Sequence, residues 1–468
     1  MPHVSIAGLT PTHWLLVGVA LGVVCAFEFV NGFHDTANAV ATVIYTRSLR
    51  PWVAVVWSGF WNFLGVYLGG VAVAFSIVHL LPVELLAQIN THQGLAMVFA
   101  LLGSAILWNF GTWYLALPAS SSHALIGAIL GVGLANRFLP GHGAGSGVNW
   151  SKAAEVGLSL LLSPLIGFCM AALLLLLLKR IVATPKLYEP PGDEDSPPGW
   201  IRAILILTCT GVSFAHGSND GQKGVGMVML ILIGLAPAHY ALNLKHDAVQ
   251  IAQTSHAAQK LAGFLERSPR RGKPDASDPV REAEHVGRLL LDRSSYDSLA
   301  AQERWELRSS LLELDAAVRR RMQQLATRLD RRERERLSAL RVDLVRPIEY
   351  APTWVELMVA LSLGVGTTIG WKRIVVTVGE RIGKMHLTYG QGACAELVAM
   401  LTIGLADRFG FPVSTTQVLS SAVAGTMSAN RAGVQSATVR KIALAWVLTL
   451  PATMLLAGLF LWVFRLFL

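Results

Sequence analysis

Long apolar stretches alternate with short polar motifs along most of the chain, and one broad polar region interrupts this pattern. Apolar stretches recur from about Thr12 to Arg180, from Trp200 to about Leu242 and from about Trp354 to the C-terminus. An apolar helix of about twenty residues crosses a hydrocarbon core about 30 Å thick. The pattern therefore predicts an all-α polytopic membrane protein with about ten to twelve transmembrane or half-membrane helices.

The broad polar region covers residues 243–350 and is rich in Arg and Glu. Its segment LRSSLLELDAAVRRRMQQLATRLDRRERERLSALRVDL has leucines three and four residues apart, which indicates amphipathic helices rather than spans. More than half of the Lys and Arg residues lie in this insert. Basic loops stay on the cytoplasmic side, so we predict a helical cytoplasmic insert whose charges form a solvated surface or, alternatively, a regulatory or anionic-lipid contact.

These changes in character divide the chain into five zones. We assign them as a first membrane repeat (12–180), a connector rich in Pro, Gly and charge (181–199), the start of a second membrane repeat (200–242), the cytoplasmic insert (243–350) and the remainder of the second repeat (351–468).

Two polar motifs occur twice, in the same order. GFHDTANAVAT aligns with GSNDGQKGVGM, so that Asp35 matches Asp220 and Asn38 matches Lys223. LPASSSHALIGAILG aligns with FPVSTTQVLSSAVAG, and both begin with an apolar residue and a proline. Duplicated, Gly/Pro-interrupted apolar segments are typical of transporters built from two repeats, with the site near mid-membrane. We therefore expect two inverted repeats with two re-entrant helical hairpins.

The first motif places a carboxylate inside each repeat. An aspartate at the centre of a spanning helix costs about 2.5 to 3.5 kcal/mol on insertion scales, so Asp35 and Asp220 are expected to face a cavity. Asn38 and Lys223 each follow their aspartate by three residues, which places each pair on one helix face. The alternative is a purely structural aspartate at a helix break.

The second motif predicts a helix start that binds an anion. Proline followed by Ser or Thr is typical of helix N-termini, where hydroxyls cap free N–H groups and the helix dipole leaves partial positive charge. Such a terminus in a cavity suits phosphate or sulfate. The alternative is ordinary capping at a loop. The predicted anion-binding hydroxyls are Ser120, Ser121, Ser122, Ser414, Thr415 and Thr416.

Carboxylates and an anion at one site require a positive partner. Repulsion between unit charges at close range is about 3 to 4 kcal/mol at an effective dielectric near 20. A proton, a sodium ion or a metal ion bound with the anion would cancel it. The motifs together therefore predict co-transport.

At these residues the sequence resembles the inorganic phosphate transporter (Pit) family. The duplicated aspartate motif is matched at Gly32, His34, Asp35 and Asn38, and again at Gly217, Asn219 and Asp220. The P-x-S-[ST]-[ST]-H elements are matched at Pro118 to His123 and at Pro412 to Gln417. The segment GWKRIVVTVGERIGK, from Gly370 to Lys384, also resembles a family segment. Gln417 stands where the family usually has histidine. The variants are most similar to bacterial low-affinity, proton-coupled members.

The resemblance implies a secondary transporter that imports phosphate with protons, as a neutral divalent metal-phosphate complex, in the bacterial inner membrane as a homodimer. It implies no tightly bound cofactor and leaves the metal ligands open. Asp35 and Asp220 contact both phosphate and the coupling ion or proton, with Asn38, Asn219, Lys223 and His34 assisting. Lys223 stands where sodium-coupled relatives have asparagine; the alternative is a structural Lys–Asp pair. His123 and His216 are further candidate proton carriers. Glu28 and Glu396 are intramembrane carboxylates of lower rank.

Composition narrows the function classes. Hydrophobic residues make up 53% of the 468 residues and charged residues 15%, against roughly a quarter in an average soluble domain. The net charge of +9 fits a polytopic protein, in which basic residues lie in cytoplasmic loops and set the orientation, so we do not predict a nucleic-acid partner. We find no nucleotide loop, metal-ligand set or nucleophile–base spacing of an enzyme. A channel fits duplicated carboxylates less well than alternating access, and a sodium-coupled phosphate or sulfate carrier on the same scaffold stays open.

Overall fold

Helices are the main secondary structure in the part of the chain that the structure describes. The computed structural model describes residues 11–80, 92–138, 147–192, 197–267, 279–325 and 327–466. Residues 193–196 of the predicted connector, with 268–278 and 326 of the predicted insert, lie outside these ranges. Within them the one extended pairing is an isolated bridge between Gly383 and Val434. The predicted all-α fold class is confirmed.

The N-terminal helices are α1 (Pro11–Asp35), α2 (Ala37–Tyr45), α3 (Pro51–Leu68), α4 (Ala72–Val78), α5 (His92–Tyr114), α6 (Ser121–Arg137) and α7 (Trp150–Ile181). The chain continues with α8 (Gly199–Leu235), α9 (Pro237–Tyr240), α10 (Ala248–Arg267), α11 (Pro279–Leu290), α12 (Ala301–Gln324) and α13 (Arg331–Val345). The last helices are α14 (Thr353–Thr367), α15 (Lys372–Val376), α16 (Tyr389–Arg408), α17 (Thr415–Ala429) and α18 (Ser436–Phe464). Single turns of other helix types occur at Pro185–Leu187, Tyr296–Ser298 and Thr377–Arg381.

Several of these helices are long and apolar enough to cross a membrane. Among the described residues five segments qualify: Trp14–Tyr45, Gly94–Tyr114, Trp150–Ile181, Gly199–Leu235 and Ser436–Phe464. Two bent pairs raise the number to seven, with α3 and α4 at 73° and α14 and the segment Lys372–Arg381 at 57°. Large apolar side chains such as Leu161, Leu207, Val447 and Leu455 are exposed on these helices, as lipid-facing residues are. The protein is a multi-pass membrane protein.

The described residues divide into two compact units. One consists of Ile231–Tyr350 with the N-terminal residues up to Val17. The other consists of Gly18–Leu230 and Ala351–Leu468, and it contains all the polar motifs of the candidate site.

In the second unit, each aspartate-bearing helix packs against a helix of the other repeat. A Cβ atom on Gly32 of α1 would lie 2.4 Å from the Leu363 carbonyl oxygen of α14, and one on Gly217 of α8 would lie 2.2 Å from the Asn62 carbonyl oxygen of α3. Gly32 and Gly217 are equivalent in the sequence repeat. Glycine therefore allows backbone contact at matching positions, as small residues do between membrane helices.

The helices that begin at the two Ser/Thr motifs also pack against a helix of the other repeat. Helix α6 packs along α18, whereas α17 packs along α7. The repeat-equivalent glycines Gly131 and Gly425 allow this, because Cβ atoms there would lie 2.2 Å from the Met454 carbonyl oxygen and 2.3 Å from the Phe168 carbonyl oxygen. Reciprocal contacts of this kind are what two repeats related by a pseudo-two-fold axis produce.

Buried charges stabilise the polar helices of the first unit. Asp315 of α12 accepts hydrogen bonds from Arg319 Nε and Arg341 Nε, each at 2.7 Å. Burial alone would raise the pKa of Asp315, but the two guanidinium groups hold it below its usual range. This stabilisation is present above the ordinary aspartate pKa and is lost as the pH falls through the lowered native pKa. Arg308, also buried, donates to the Ala241 and Ile348 carbonyl oxygens at 3.0 Å.

The glycine contacts give the first prediction. Replacing Gly131 by alanine puts a methyl group against the Met454 backbone, which cannot rotate away. We expect Gly131→Ala to cost about 1 to 3 kcal/mol, as overpacking does, and to lower the melting temperature of the purified protein in detergent. Gly111→Ala is the matched control, because among the described residues no atom outside its own stretch of helix lies within 4 Å of its added Cβ. Equal melting temperatures for the two variants would contradict the close packing.

Candidate functional site

Asp35 lies at the junction of two helical segments. Helix α1 ends at Asp35 and α2 begins at Ala37; Thr36 between them is a turn residue with helical backbone angles, and the two segments form one candidate span, Trp14–Tyr45. The Thr36 hydroxyl is within hydrogen-bond distance of the Gly32 carbonyl oxygen at 2.7 Å and the Thr367 carbonyl oxygen at 2.8 Å. The contact with Thr367 ties this junction to α14. Both contacts hold the Asp35 side chain, which is 1% exposed, inside the second unit.

The second aspartate motif lies within an unbroken helix. His216, Asn219, Asp220 and Lys223 are spaced three and four residues apart in α8, so their side chains lie along one face. Lys223 Nζ donates to Asp220 Oδ1 at 2.6 Å, and both residues are at most 1% exposed. The predicted Asp–Lys pair is therefore a buried ion pair.

The Ser/Thr motifs begin two helices that start next to each other. Ser120 caps α6 by accepting from the His123 backbone N–H at 3.1 Å, and Ser414 caps α17 by accepting from the Gln417 backbone N–H at 3.2 Å. Ser122 Oγ donates to the Val413 carbonyl oxygen at 2.8 Å, which links the two starts. The sequence prediction that these motifs start helices is confirmed.

One hydroxyl joins the two aspartates. Ser121 Oγ donates to Asp35 Oδ2 at 2.8 Å and also lies 3.4 Å from Asp220 Oδ2. A serine hydroxyl has a single hydrogen, so it satisfies one carboxylate at a time. The carboxylates of the two repeats therefore meet at the N-terminus of α6.

The start of α17 contacts Asp35 from the other side. Thr416 Oγ1 donates to Asp35 Oδ1 at 2.6 Å, while Asn38 Nδ2 donates to Thr416 Oγ1 at 3.0 Å and to Thr415 Oγ1 at 3.2 Å. His34 Nδ1 lies 3.0 Å from Asp35 Oδ1. All four motifs thus contribute to one buried polar cluster.

His216 completes a set of three ligand atoms. Its Nδ1 lies 2.6 Å from Asn62 Oδ1, and Asn62 donates its own amide hydrogens to Ser58. Nδ1 therefore carries the hydrogen, and in a neutral ring Nε2 presents a lone pair. Nε2 lies 3.5 Å from Asp220 Oδ2 and 3.8 Å from Asp35 Oδ2, without a hydrogen bond in the described chain.

Three acceptors of this kind suit a cation. The ligand atoms of Asp35, His216 and Asp220 all lie within 4.8 Å of one another and are buried. One imidazole nitrogen and two carboxylates match the ligands that zinc, manganese and similar divalent ions take. Protons or sodium would satisfy the same carboxylates.

The ammonium of Lys223 also contacts the hydroxyl motif. Besides Asp220, its Nζ donates to Ser122 Oγ at 2.5 Å. With neutral histidines, one ammonium against two carboxylates leaves the cluster with a net charge of −1. Helix N-termini and Lys223 attract an anion, but the second carboxylate opposes it.

Some predicted site residues have other contacts. Asn219 holds the loop before α17, since its Nδ2 donates to the Phe411 carbonyl oxygen at 3.1 Å and its Oδ1 lies 3.4 Å from the Val413 backbone nitrogen. His123 Nδ1 lies 2.8 Å from Ser120 Oγ. Glu396 accepts hydrogen bonds from Thr42 and Thr208.

Other site residues were missed by the sequence analysis. Asn62 of α3 orients His216, and Thr112 of α5 lies 3.1 Å from His34 Nε2. Asp407 accepts from Ser218 Oγ at 2.6 Å and Gln222 Nε2 at 2.7 Å, which anchors α8 beside the motif. The one sequence signal that could have identified these residues is that each is a polar residue within an apolar stretch.

A buried cluster of charged and hydroxyl groups between two repeats of a multi-pass membrane protein is typical of a solute transporter. Such groups are costly in a bilayer and occur where they line a substrate or ion path, typically between the repeats of a secondary transporter.

Known proteins narrow this class. The model of the phosphate transporter family matches residues 31–457. The low-affinity inorganic phosphate transporter PitA of Escherichia coli (strain K12) is 43% identical over 97% of each chain. A low-affinity inorganic phosphate transporter of Buchnera aphidicola subsp. Acyrthosiphon pisum is 44% identical over 96% of this chain and 97% of its own. The chain belongs to the phosphate transporter family, which confirms the predicted Pit resemblance and a transporter rather than an enzyme.

A solved structure shows the same fold. The chain is similar to a structure titled "The sodium-dependent phosphate transporter", with a TM-score of 0.56 and 20% identity over 98% of this chain and 100% of the other.

The ligand set of Asp35, His216 and Asp220 gives the second prediction. We expect Mn²⁺ to bind the purified protein in isothermal titration calorimetry, and His216→Ala to weaken this binding at least about tenfold because one of three ligands is lost. His386→Ala is the control, since His386 is exposed. Equal Mn²⁺ affinity in both variants would exclude His216 as a ligand.

Proposed function

We propose that the chain is a secondary active transporter that imports inorganic phosphate by proton symport, together with a divalent metal ion, through alternating access. The observation that carries the proposal is the meeting of two helix starts with two buried aspartates and a single lysine. We further propose a location in the bacterial inner membrane. Homodimer formation, which the family resemblance implies, stays a prediction.

The helix starts supply the groups that bind oxyanions. Free backbone N–H groups and the partial positive charge at the beginning of α6 and α17 favour an anion there. Lys223 Nζ adds a full positive charge beside Ser122, and the hydroxyls of Ser121, Thr415 and Thr416 add further donors or acceptors. Relatives named as inorganic phosphate transporters support phosphate as that anion.

The aspartates favour phosphate over sulfate. At neutral pH phosphate keeps at least one O–H group, which can donate to Asp35 or Asp220, whereas sulfate has no hydrogen to donate. A carboxylate facing sulfate would be left unpaired and repelled, and unpaired buried polar groups discriminate strongly. Arsenate shares the protonation and shape of phosphate, so it should compete.

The charge of the cluster supports coupling to a cation. Lys223 neutralises one aspartate, so bound phosphate adds its charge to one remaining carboxylate. A divalent ion between Asp35, His216 and Asp220 would neutralise this excess and carry phosphate as a neutral complex. A proton on phosphate or on a side chain would cancel the negative charge that remains.

A sodium-coupled phosphate transporter is the second candidate. Asn38 Oδ1 is buried beside Thr415 and Thr416 and has no hydrogen-bond partner among the described residues. An amide oxygen with nearby hydroxyls and Asp35 suits an alkali cation. This candidate predicts uptake that follows sodium rather than pH.

The third prediction tests phosphate symport. In proteoliposomes containing the purified protein, an inward proton gradient (acid outside) should drive accumulation of labelled phosphate, and a protonophore should abolish it. Arsenate should compete, and sulfate should not. Uptake that is indifferent to both the gradient and the protonophore would rule out proton symport, and uptake that requires sodium would favour the second candidate.

The fourth prediction concerns Lys223. Lys223→Asn leaves Asp220 buried without its positive partner, and breaking such a pair costs about 3 to 5 kcal/mol unless another cation replaces it. We expect gradient-driven uptake to fall at least about tenfold and to recover partly with added sodium. Lys152→Asn is the matched control, because Lys152 forms a pair of the same spacing with half-exposed Glu155 at 2.7 Å. Unchanged ion dependence in Lys223→Asn would remove Lys223 from the coupling mechanism.

A further inference from the structure

Glu28 is a second buried acidic group on α1, outside the cluster described above. It lies seven residues before Asp35, on the same helix face, and is fully buried. Its Oε2 accepts a hydrogen bond from Asn31 Nδ2 at 3.3 Å. Among the residues that the structure describes, Oε1 has no hydrogen-bond partner, and Glu28 forms no ion pair.

The Glu28 carboxyl group lies directly against α8. A Cβ atom on Gly224 would be 2.5 Å from Glu28 Oε1 and 2.6 Å from its carboxyl carbon, so the carboxyl group occupies the space beside this glycine. Gly224 directly follows Lys223. The charged groups that act on Glu28 are Asp220 and Lys223 of α8 and Asp35 of its own helix.

The contacts fit a carboxylic acid rather than a carboxylate. Two buried oxygens in this pair have no donor, Glu28 Oε1 and Asn31 Oδ1. A carboxylic acid and a primary amide can each donate to the other, so one proton on Glu28 would supply the donor that the pair lacks. An ionised carboxylate with one amide contact would be an uncompensated buried charge.

We propose that Glu28 binds the proton that is symported with phosphate. This inference rests on the proposed phosphate transport and assigns its proton site. A negative Glu28 would repel phosphate bound near Lys223, so phosphate favours the protonated carboxyl group, and the protonated group favours phosphate. Such mutual preference is reciprocal by thermodynamic necessity, and it makes proton and phosphate bind together and leave together.

Neutralisation of Glu28 separates proton movement from phosphate movement. Glu28→Gln keeps the size and the Asn31 contact and mimics the protonated acid permanently. Exchange of labelled for unlabelled phosphate at equal pH on both sides needs no net proton movement. Net uptake driven by a pH gradient does need it.

The test measures both reactions in proteoliposomes, with a pH-sensitive dye inside. For Glu28→Gln we expect exchange within roughly twofold of wild type, with loss of gradient-driven accumulation and of phosphate-linked acidification of the interior. Glu356→Gln is the matched control for removing a glutamate in the same unit, because Glu356 is half-buried in the first turn of α14. It should retain both reactions.

A second variant tests the position of the carboxyl group. Gly224→Ala leaves Glu28 intact but pushes its flexible end away, because the added methyl would contact the carboxyl atoms. We expect exchange to persist and the pH dependence of phosphate exchange to shift.

Three outcomes would overturn the proposal: gradient-driven accumulation by Glu28→Gln equal to wild type, loss of exchange together with accumulation in this variant, or an unshifted pH profile in Gly224→Ala. Absence of phosphate exchange in the wild-type protein would instead refute the proposed function itself.

Discussion

The buried ion pair between Lys223 and Asp220 is the interaction on which the site depends. It neutralises one of two carboxylates that share the Ser121 hydroxyl. Among the described residues, Asp35 has hydroxyl and histidine partners but no lysine or arginine. Burial makes this imbalance costly, since charges inside a membrane protein are weakly screened. An anion at the adjacent helix starts would therefore need a mobile positive partner, which is the physical basis of the proposed coupling.

The crossed repeats create this imbalance by bringing equivalent motifs to one place without making them identical. Matching glycines, Gly32 with Gly217 and Gly131 with Gly425, let each motif helix touch a helix of the other repeat at the backbone. The motifs then differ chemically. The first repeat has Asn38 next to Thr415 and Thr416, whereas the second has Lys223 next to Ser122. This asymmetry gives the site one fixed positive charge, on Lys223, and in the proposed mechanism the second positive charge is an exchangeable cation.

The sequence predicts much of this architecture because its signals are local or repeated. Apolar length predicts the spans, the duplicated motifs predict that Asp35 and Asp220 belong together, and proline followed by serine or threonine predicts the starts of α6 and α17. Contacts between distant helices have no such signal. The orientation of His216 by Asn62, and the position of Glu28 against Gly224, depend on packing between residues more than 150 positions apart. A motif position can also have a contact that the sequence does not reveal. Asn219 is predicted to assist the coupling ion, and in the structure its side chain donates to the Phe411 carbonyl oxygen in the loop before α17.

The most direct measurement of the central claim is an anomalous diffraction map from crystals grown with Mn²⁺ and arsenate. The account predicts arsenic at the starts of α6 and α17, next to Lys223 and Ser121, with manganese between the anion and the side chains of Asp35, His216 and Asp220. Arsenic bound elsewhere, or bound at the helix starts with no cation between it and the two aspartates, would contradict it.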